Sequence, residues 1–174
     1  MTTIERLAHV GLHVNDLAVM TAFYRDILGL QVTDGDPEGD YVFMSSRPAI
    51  EHHELLLTGG RNAPRGALWL QQISFLCPSY EDVLGFFERF KENDVEFDMT
   101  VSHGNAIGIY FFDPEGNRCE VYWPTGLEAK QGFLEHLDLE RPKEEVLAKV
   151  RATVEKFGAT GYMDGDANAR LDLQ

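Results

Sequence analysis

The sequence has few cysteines and few positive charges, and both shortages limit what the protein can be. Cys77 and Cys119 are its only cysteines, and each lies in an apolar, strand-like run, so we expect buried reduced thiols rather than a disulfide framework. Lys and Arg total 15 against 29 Asp and Glu, a formal net charge of −14. Proteins that bind nucleic acid neutralise phosphates with positive side chains, so no nucleic-acid partner is expected.

Long apolar runs are also missing. No stretch approaches the roughly 20 apolar residues that a membrane span requires, so no membrane partner is expected. The opening residues, MTTIERLAHV, lack the cationic and apolar regions of a secretion signal, which favours a cytoplasmic location. What is present is ordinary globular composition, 44% hydrophobic and 25% charged, in a chain of 174 residues that can bury a core.

The chain contains the same order of patterns twice. Each half has one helical pattern, at 17–28 and 83–90, between its first and second strand-like stretches. The stretches predicted as strands are 7–14, 31–33, 41–45 and 52–58 in the first half and 69–77, 95–101, 107–112 and 118–123 in the second. The sequence therefore predicts two βαβββ modules, at about 1–60 and 67–126, which together form one domain over 1–126.

The remaining residues, 127–174, have a different composition and are expected to form a C-terminal extension. Val146, Val150, Val154 and Phe157 form an apolar stripe that predicts a helix over about 142–157. Such a helix packs on its own domain or contacts a second copy, and we expect a homodimer.

Superposing the two modules brings four metal-compatible side chains onto two equivalent positions. The first strands align His9 with Gln72, a shift of 63 residues, and the last strands align Glu54 with Glu120, a shift of 66. If the modules pair around a pseudo-twofold axis, these four side chains converge on one site. Each also has a plain structural interpretation, as a hydrogen-bonded histidine, a strand-edge amide or solvent-facing carboxylates.

Residues 7–124 as a whole resemble the vicinal-oxygen-chelate superfamily, which includes glyoxalase I, bleomycin-resistance proteins and type I extradiol dioxygenases. The motifs that carry the resemblance are HVGLHVNDL at 9–17, FY at 23–24 with LGL at 28–30, and DPEGN at 113–117, which leads to Glu120. The resemblance implies an α+β fold in which eight strands form an open, cup-shaped mixed β-sheet barrel around a metal.

Two further stretches resemble the small extradiol dioxygenases that act on catechols and biphenyl-2,3-diols. HHELLL at 52–57 resembles their strand with a histidine acid/base, here His53, and His103 with Tyr110 resembles their closing segment, in which the tyrosine lies ten residues before the carboxylate (120 − 110 = 10). The resemblance implies His9 and Glu120 as metal ligands and His53, His103 and Tyr110 as catalytic residues. It also implies Fe(II), O₂ and a small aromatic substrate, with Mn, Ni or Zn as other metals.

Gln72 completes the predicted metal-ligand set with His9 and Glu120, and it is the position at which the chain departs from the dioxygenase pattern, where a second histidine ligand is expected. Some glyoxalases resemble this chain in using an amide ligand, and in that alternative Glu54 completes a set with His9, Gln72 and Glu120. A third alternative is a metal-free protein that binds a small molecule, as bleomycin-resistance proteins do. Neighbouring strand residues face opposite ways, so His53 and Glu54 cannot both face the site without a bulge; the resemblance favours His53 and the repeat favours Glu54.

Overall fold

The first half of the chain folds as one strand, one helix and three strands. The computed structural model describes residues 2–161, and its first compact unit contains the residues through Gln71 together with the loop Asp113–Asn117. Its elements are β1 (Val10–Val14), α1 (Leu17–Ala22), a π-helical segment (Phe23–Ile27), β2 (Gln31–Gly35), β3 (Tyr41–Ser45) and β4 (Leu55–Gly59). The sheet order is β1-β4-β3-β2, with β1 parallel to β4 and the other pairs antiparallel.

The second unit repeats this order and adds the extension. Among the described residues it consists of Gln72–Phe112 and residues 118–161. Its elements are β5 (Ile73–Leu76), α2 (Tyr80–Glu92), β6 (Phe97–Ser102), β7 (Ala106–Phe112), β8 (Arg118–Pro124), β9 (Glu135–His136) and α3 (Lys143–Phe157). The sheet order is β5-β8-β7-β6-β9, again with one parallel pair, β5 with β8. The predicted α+β class, the two βαβββ patterns and the C-terminal helix are confirmed; residues 162–174 of the predicted extension lie outside the described residues.

The helices form where apolar spacing and capping residues agree. Asp16 caps α1 by accepting a hydrogen bond from the Val19 amide at 2.9 Å, and Ser79 caps α2 through the Asp82 amide at 3.1 Å. Met20 of α1 and Phe90 of α2 are fully buried in the cores of their units. No helix within residues 2–161 has the length and hydrophobicity to cross a lipid bilayer.

The loop Asp113–Asn117 anchors the start of α1. Glu115 accepts hydrogen bonds from the backbone amides of Asn15, at 2.5 Å, and Asp16, at 2.9 Å. Its carboxylate also pairs with Arg61 at 3.2 Å, and both side chains are less than a tenth exposed. A buried carboxylate thus satisfies amides that a helix start otherwise leaves unpaired. The loop that carries the DPEGN motif therefore does more than connect β7 to β8.

Three strands begin three or four residues later than the hydrophobic pattern predicts. Strands predicted at 7–14, 52–58 and 69–77 begin at Val10, Leu55 and Ile73, because parallel pairing begins only at Val10↔Leu55 and Ile73↔Cys119. The candidate residues His9, His53, Glu54 and Gln72 accordingly precede strands rather than lying within them. The prediction that His53 and Glu54 alternate across a strand was therefore wrong. The short strand β9 was not predicted.

Candidate functional site

The first unit brings two candidate histidines together. The rings of His9 and His53 lie 4.4 Å apart between centroids, and the His53 ring lies 4.5 Å from that of Phe43. Nδ1 of His52 lies 3.0 Å from Nδ1 of His53. The segment between β3 and β4 therefore places His53 beside His9, which the sequence predicts as a metal ligand.

The surroundings of His53 favour the neutral imidazole. Partial burial lowers the pKa of His53 below its usual value of 6.5, and the neighbouring imidazoles of His9 and His52 lower it further. The Glu51 carboxylate acts in the opposite direction without reversing the shift. At neutral pH this imidazole is uncharged and one of its ring nitrogens has a lone pair, which suits a proton acceptor.

We expect His53 to titrate with a midpoint below 6.5 in an NMR pH titration, with its signals assigned by their loss in His53→Gln. The folded protein then binds fewer protons than the unfolded chain near pH 6, so the His53 contribution to the free energy of unfolding is present above pH 6.5 and is lost as the pH falls through the folded pKa. His9→Ala removes one of the two imidazoles that lower the His53 pKa and should raise the midpoint. A midpoint at or above 6.5 in the native protein would contradict this environment.

Glu54 has other partners. Its Oε2 accepts hydrogen bonds from the Ser46 amide at 2.8 Å and the Ser46 hydroxyl at 2.6 Å, and its Oε1 pairs with Arg47 at 3.1 Å. Burial alone would raise the pKa of Glu54, but the Ser46 and Arg47 contacts lower it overall. The carboxylate therefore holds the turn after β3, and its interactions favour a structural role.

The second unit joins Gln72 and Glu120. Nε2 of Gln72 donates to Oε2 of Glu120 at 3.1 Å, and the Ser74 hydroxyl donates to the same oxygen at 2.5 Å. Glu120 lies on β8 opposite Ser74 of β5, and it is only 6% exposed. On β7, a Cβ atom at Gly108 would lie 2.6 Å from Oε1 of Glu120, so the absence of a side chain there makes room for the carboxylate.

Tyr110 and His103 continue this network. Tyr110 is paired with Glu120 across β7 and β8, and its hydroxyl lies 3.3 Å from Nε2 of His103. Burial and the nearby Glu120 carboxylate raise the pKa of Tyr110 to about 12, so the phenol keeps its proton at neutral pH. Nδ1 of His103 lies 2.9 Å from the carbonyl oxygen of Phe133, which can only accept. Nδ1 therefore donates to this carbonyl, and Nε2 faces the Tyr110 hydroxyl.

The C-terminal extension supports the loop that carries His103. The extension contacts this loop through the Phe133 carbonyl and also at Gly104. A Cβ atom at Gly104 would come within 3.0 Å of the side chains of Ala129, Phe133 and Val154, so only glycine fits there. Gly104 also has a φ of +81°, in the left-handed region that favours glycine. The extension therefore fixes the position of His103, a function that its composition did not indicate.

Two residues of the site were missed by sequence reasoning. Arg118 bonds to Gln72 and lies over the Tyr110 ring, and Ser74 bonds to Glu120. Each lies two residues from a predicted ligand, and period-two spacing along a strand could have identified both.

The predicted site residues thus fall into two groups, one in each unit: His9 with His53, and Gln72 with Glu120, Tyr110 and His103. Within residues 2–161, no three His, Cys, Asp or Glu side chains form a group that could hold a metal ion. Coordination of a metal by His9, Gln72 and Glu120 remains a prediction.

Comparison with known proteins decides the family. The model of the Glyoxalase/Bleomycin resistance protein/Dioxygenase superfamily matches residues 6–121. The chain belongs to this superfamily. The vicinal-oxygen-chelate resemblance is therefore confirmed, and the match covers both βαβββ patterns.

Curated proteins that resemble this chain include two dioxygenases. Biphenyl-2,3-diol 1,2-dioxygenase 3 of Rhodococcus globerulus is 30% identical over 70% of this chain and 64% of its own length. The manganese-dependent 2,3-dihydroxybiphenyl 1,2-dioxygenase of Geobacillus genomosp. 3 is 29% identical over 76% of this chain and 42% of its own. The chain thus matches less than two thirds of the length of these relatives.

Solved structures show the same fold with other chemistries. Lactoylglutathione lyase from Agrobacterium tumefaciens has a TM-score of 0.55 at 24% identity, covering 70% of this chain and 96% of that one. The fosfomycin resistance protein FosX from Listeria monocytogenes has a TM-score of 0.56 at 24% identity, covering 71% and 97%. At this identity the likeness establishes the fold and not the reaction.

Proposed function

We propose that the protein is a metal-dependent extradiol-type dioxygenase that cleaves a catecholic aromatic substrate with O₂. The observation that carries the proposal is the arrangement of Glu120, Tyr110 and His103, in which a buried carboxylate lies opposite a protonated phenol whose hydroxyl is 3.3 Å from the imidazole. The names of the Rhodococcus and Geobacillus relatives, which act on biphenyl-2,3-diols, add support.

The environment of Glu120 fits a metal ligand. Gln72 and Ser74, which donate to its carboxylate, are neutral, and no Lys, Arg or His within the described residues forms an ion pair with it. A buried carboxylate without a cationic partner is costly, and a divalent cation is the natural partner. We propose Glu120 and His9 as ligands, a carboxylate and an imidazole that suit Fe(II) and also Mn, Ni or Zn.

The remaining site residues handle protons. A divalent metal, when bound, supplies a positive centre for the two catechol oxygens and for O₂. The neutral His53 imidazole accepts the proton of a catechol hydroxyl, because its lowered pKa keeps it uncharged. Tyr110 holds its proton and donates to developing negative charge on oxygen. His103 Nε2 orients the phenol and can exchange a proton with it.

A glyoxalase I-like lyase is the second candidate. It requires Glu54 as a fourth ligand, and the hydrogen bonds from Ser46 and the pairing with Arg47 already engage both oxygens of that carboxylate. This engagement favours the dioxygenase proposal. The cytoplasmic location and the homodimer that the sequence suggests remain proposals as well.

The decisive experiment loads the purified protein anaerobically with Fe(II) or Mn(II) and supplies a panel of catechols that includes 2,3-dihydroxybiphenyl. We expect uptake of one O₂ per substrate and a yellow ring-opened product, both absent from metal-stripped protein. Elemental analysis of freshly purified protein accompanies the assay. Bound metal without O₂ uptake on any catechol would contradict the proposal. In that case, turnover of a glutathione hemithioacetal would indicate a lyase. Absence of metal binding would instead indicate a small-molecule-binding protein.

A further inference from the structure

The guanidinium of Arg118 is held on three sides. Its Nε and Nη2 both lie 2.7 Å from Oδ2 of Asp98, and its Nη1 donates to Oε1 of Gln72 at 3.2 Å. Its central carbon lies 3.9 Å from the centroid of the Tyr110 ring. Asp98 reaches this position because a bulge interrupts the pairing of β6 with β7 between Phe97 and Met99. The Arg118 and Asp98 side chains are only 19% and 26% exposed, so this arrangement is partly shielded from water.

These contacts fix the orientation of the Gln72 amide. Arg118 has only donors, so the atom of Gln72 that faces it must be the carbonyl oxygen. Glu120, when ionised, has only acceptors, so the atom that faces it must be the amide nitrogen, 3.1 Å away. Ser74 gives the amide nitrogen a second partner at 2.7 Å. The reversed amide would place oxygen against carboxylate and nitrogen against guanidinium, and both contacts would be repulsive.

An amide binds a divalent metal through its oxygen, and in Gln72 that oxygen faces a cation. A metal ion at the same oxygen would have to displace Arg118 from a contact that Asp98 and the Tyr110 ring reinforce. Oε2 of Glu120, in contrast, accepts two hydrogen bonds, one from Nε2 of Gln72 and one from the Ser74 hydroxyl. Such bonds hold a carboxylate in one rotamer and are known to tune the ligands of metal sites.

We propose that Gln72 is a positioning residue for Glu120, oriented by the Asp98–Arg118 pair, and that it does not coordinate the metal. Arg118 is then a second positioning residue, since it acts on Glu120 through Gln72. The inference rests on the proposed function only in treating Glu120 as a metal ligand. It changes the role of Gln72, the residue at which this chain departs from the dioxygenase pattern, from metal ligand to positioning residue.

The first experiment observes the Gln72 side-chain amide by NMR in protein labelled with ¹⁵N-glutamine, with the signal assigned by its loss in Gln72→Met. In metal-free protein we expect its protons to exchange with water at least tenfold more slowly than those of Gln71, an exposed neighbour that serves as internal control. Arg118→Lys keeps the positive charge but loses the planar guanidinium that orients the amide. The exchange rate of the Gln72 amide protons should therefore rise to that of Gln71. Unchanged protection in Arg118→Lys, in a variant that melts at the native temperature, would overturn the role of Arg118.

The second experiment adds Zn(II), a diamagnetic probe, to the same protein. Gln72 should keep its protected amide and an unshifted side-chain carbonyl carbon while the protein binds the metal. A downfield carbonyl shift together with loss of protection would identify Gln72 as a ligand and overturn the proposal. If neither Zn(II) nor Mn(II) binds, the proposed function fails, whereas the metal-free comparison of Arg118→Lys with native protein still decides whether Arg118 orients Gln72.

Mn(II) affinity provides a test in which the two roles predict opposite results. If Gln72 positions Glu120, Arg118→Lys should weaken Mn(II) binding about tenfold, the lower end of the effect of a residue that supports a metal ligand. If Gln72 is a ligand, loss of the hydrogen bond between its oxygen and the Arg118 guanidinium should leave Mn(II) affinity unchanged or increase it. Calorimetric titration of Arg118→Lys beside Arg89→Lys, a change on the exposed face of α2, gives the comparison.

Discussion

Glu120→Ala should lose Mn(II) binding by roughly 1,000-fold, whereas Glu54→Ala should change it less than twofold. Glu120 is a buried carboxylate with neutral donors, and removal of one partner from a buried charge pair costs about 3–5 kcal/mol, which corresponds to hundreds- to thousands-fold in affinity. The Glu54 carboxylate is already paired with Arg47 and Ser46, so it has no comparable role for a metal. Calorimetric titration of metal-free proteins measures both values.

The Glu54→Ala variant is the matched control, because it removes the same group from the equivalent position of the other module. Glu120→Gln keeps the side-chain volume and separates loss of charge from loss of packing, and its melting temperature checks the fold. Full Mn(II) binding by folded Glu120→Gln would remove Glu120 from the ligand set. A large loss in Glu54→Ala would instead favour the four-ligand glyoxalase set.

Local patterns predicted the elements that depend on local interactions. The apolar spacing of α1 and α2 is a property of a few successive residues, and the helices formed there, capped by Asp16 and Ser79. The order of strands within each module also followed from the sequence, because internal repetition is visible without knowledge of any contact.

The beginnings of strands could not be predicted in the same way. β1 and β5 are edge strands whose only partners within their sheets, β4 and β8, lie more than forty residues away. Leu68 and Trp69 are apolar residues that precede β5 but pair with no strand within residues 2–161, and both side chains are 84% exposed. Pairing across the sheet, and not hydrophobicity, therefore decided where these strands begin.

The same limit applies to the roles of side chains at the site. His53 and Glu54 are adjacent in sequence, and only the turn after β3 shows that Ser46 and Arg47 engage one of them. Arg118 acquires its role through Asp98, which a bulge on another strand presents to it. Residue types gave the candidates, but their functions depend on partners that are distant in sequence.

His103→Ala should lower kcat for catechol cleavage about 100-fold while Mn(II) affinity stays within about threefold, because positioned proton-transfer groups contribute roughly 10²–10⁴ in rate. Nε2 of His103 contacts the Tyr110 hydroxyl and orients the phenol. The His103 imidazole makes no bond to Glu120, so its loss should leave the metal ligand in place. A group that acts in the transition state affects turnover more than the resting metal site. Steady-state O₂ uptake and metal titration on the same samples measure the two quantities.

The partner variants sharpen this prediction. Tyr110→Phe should lower kcat by a similar factor, and the double variant should be little worse than either single one, since residues that act as a unit give non-additive losses. His136→Ala is the control: it removes an exposed histidine from β9, the neighbour of β6, and should leave kcat unchanged. If His103→Ala retains native turnover and native metal affinity, His103 serves only to join its loop to the Phe133 carbonyl. If the losses in the double variant multiply, His103 and Tyr110 act independently, and the proposed transfer of a proton between them is wrong.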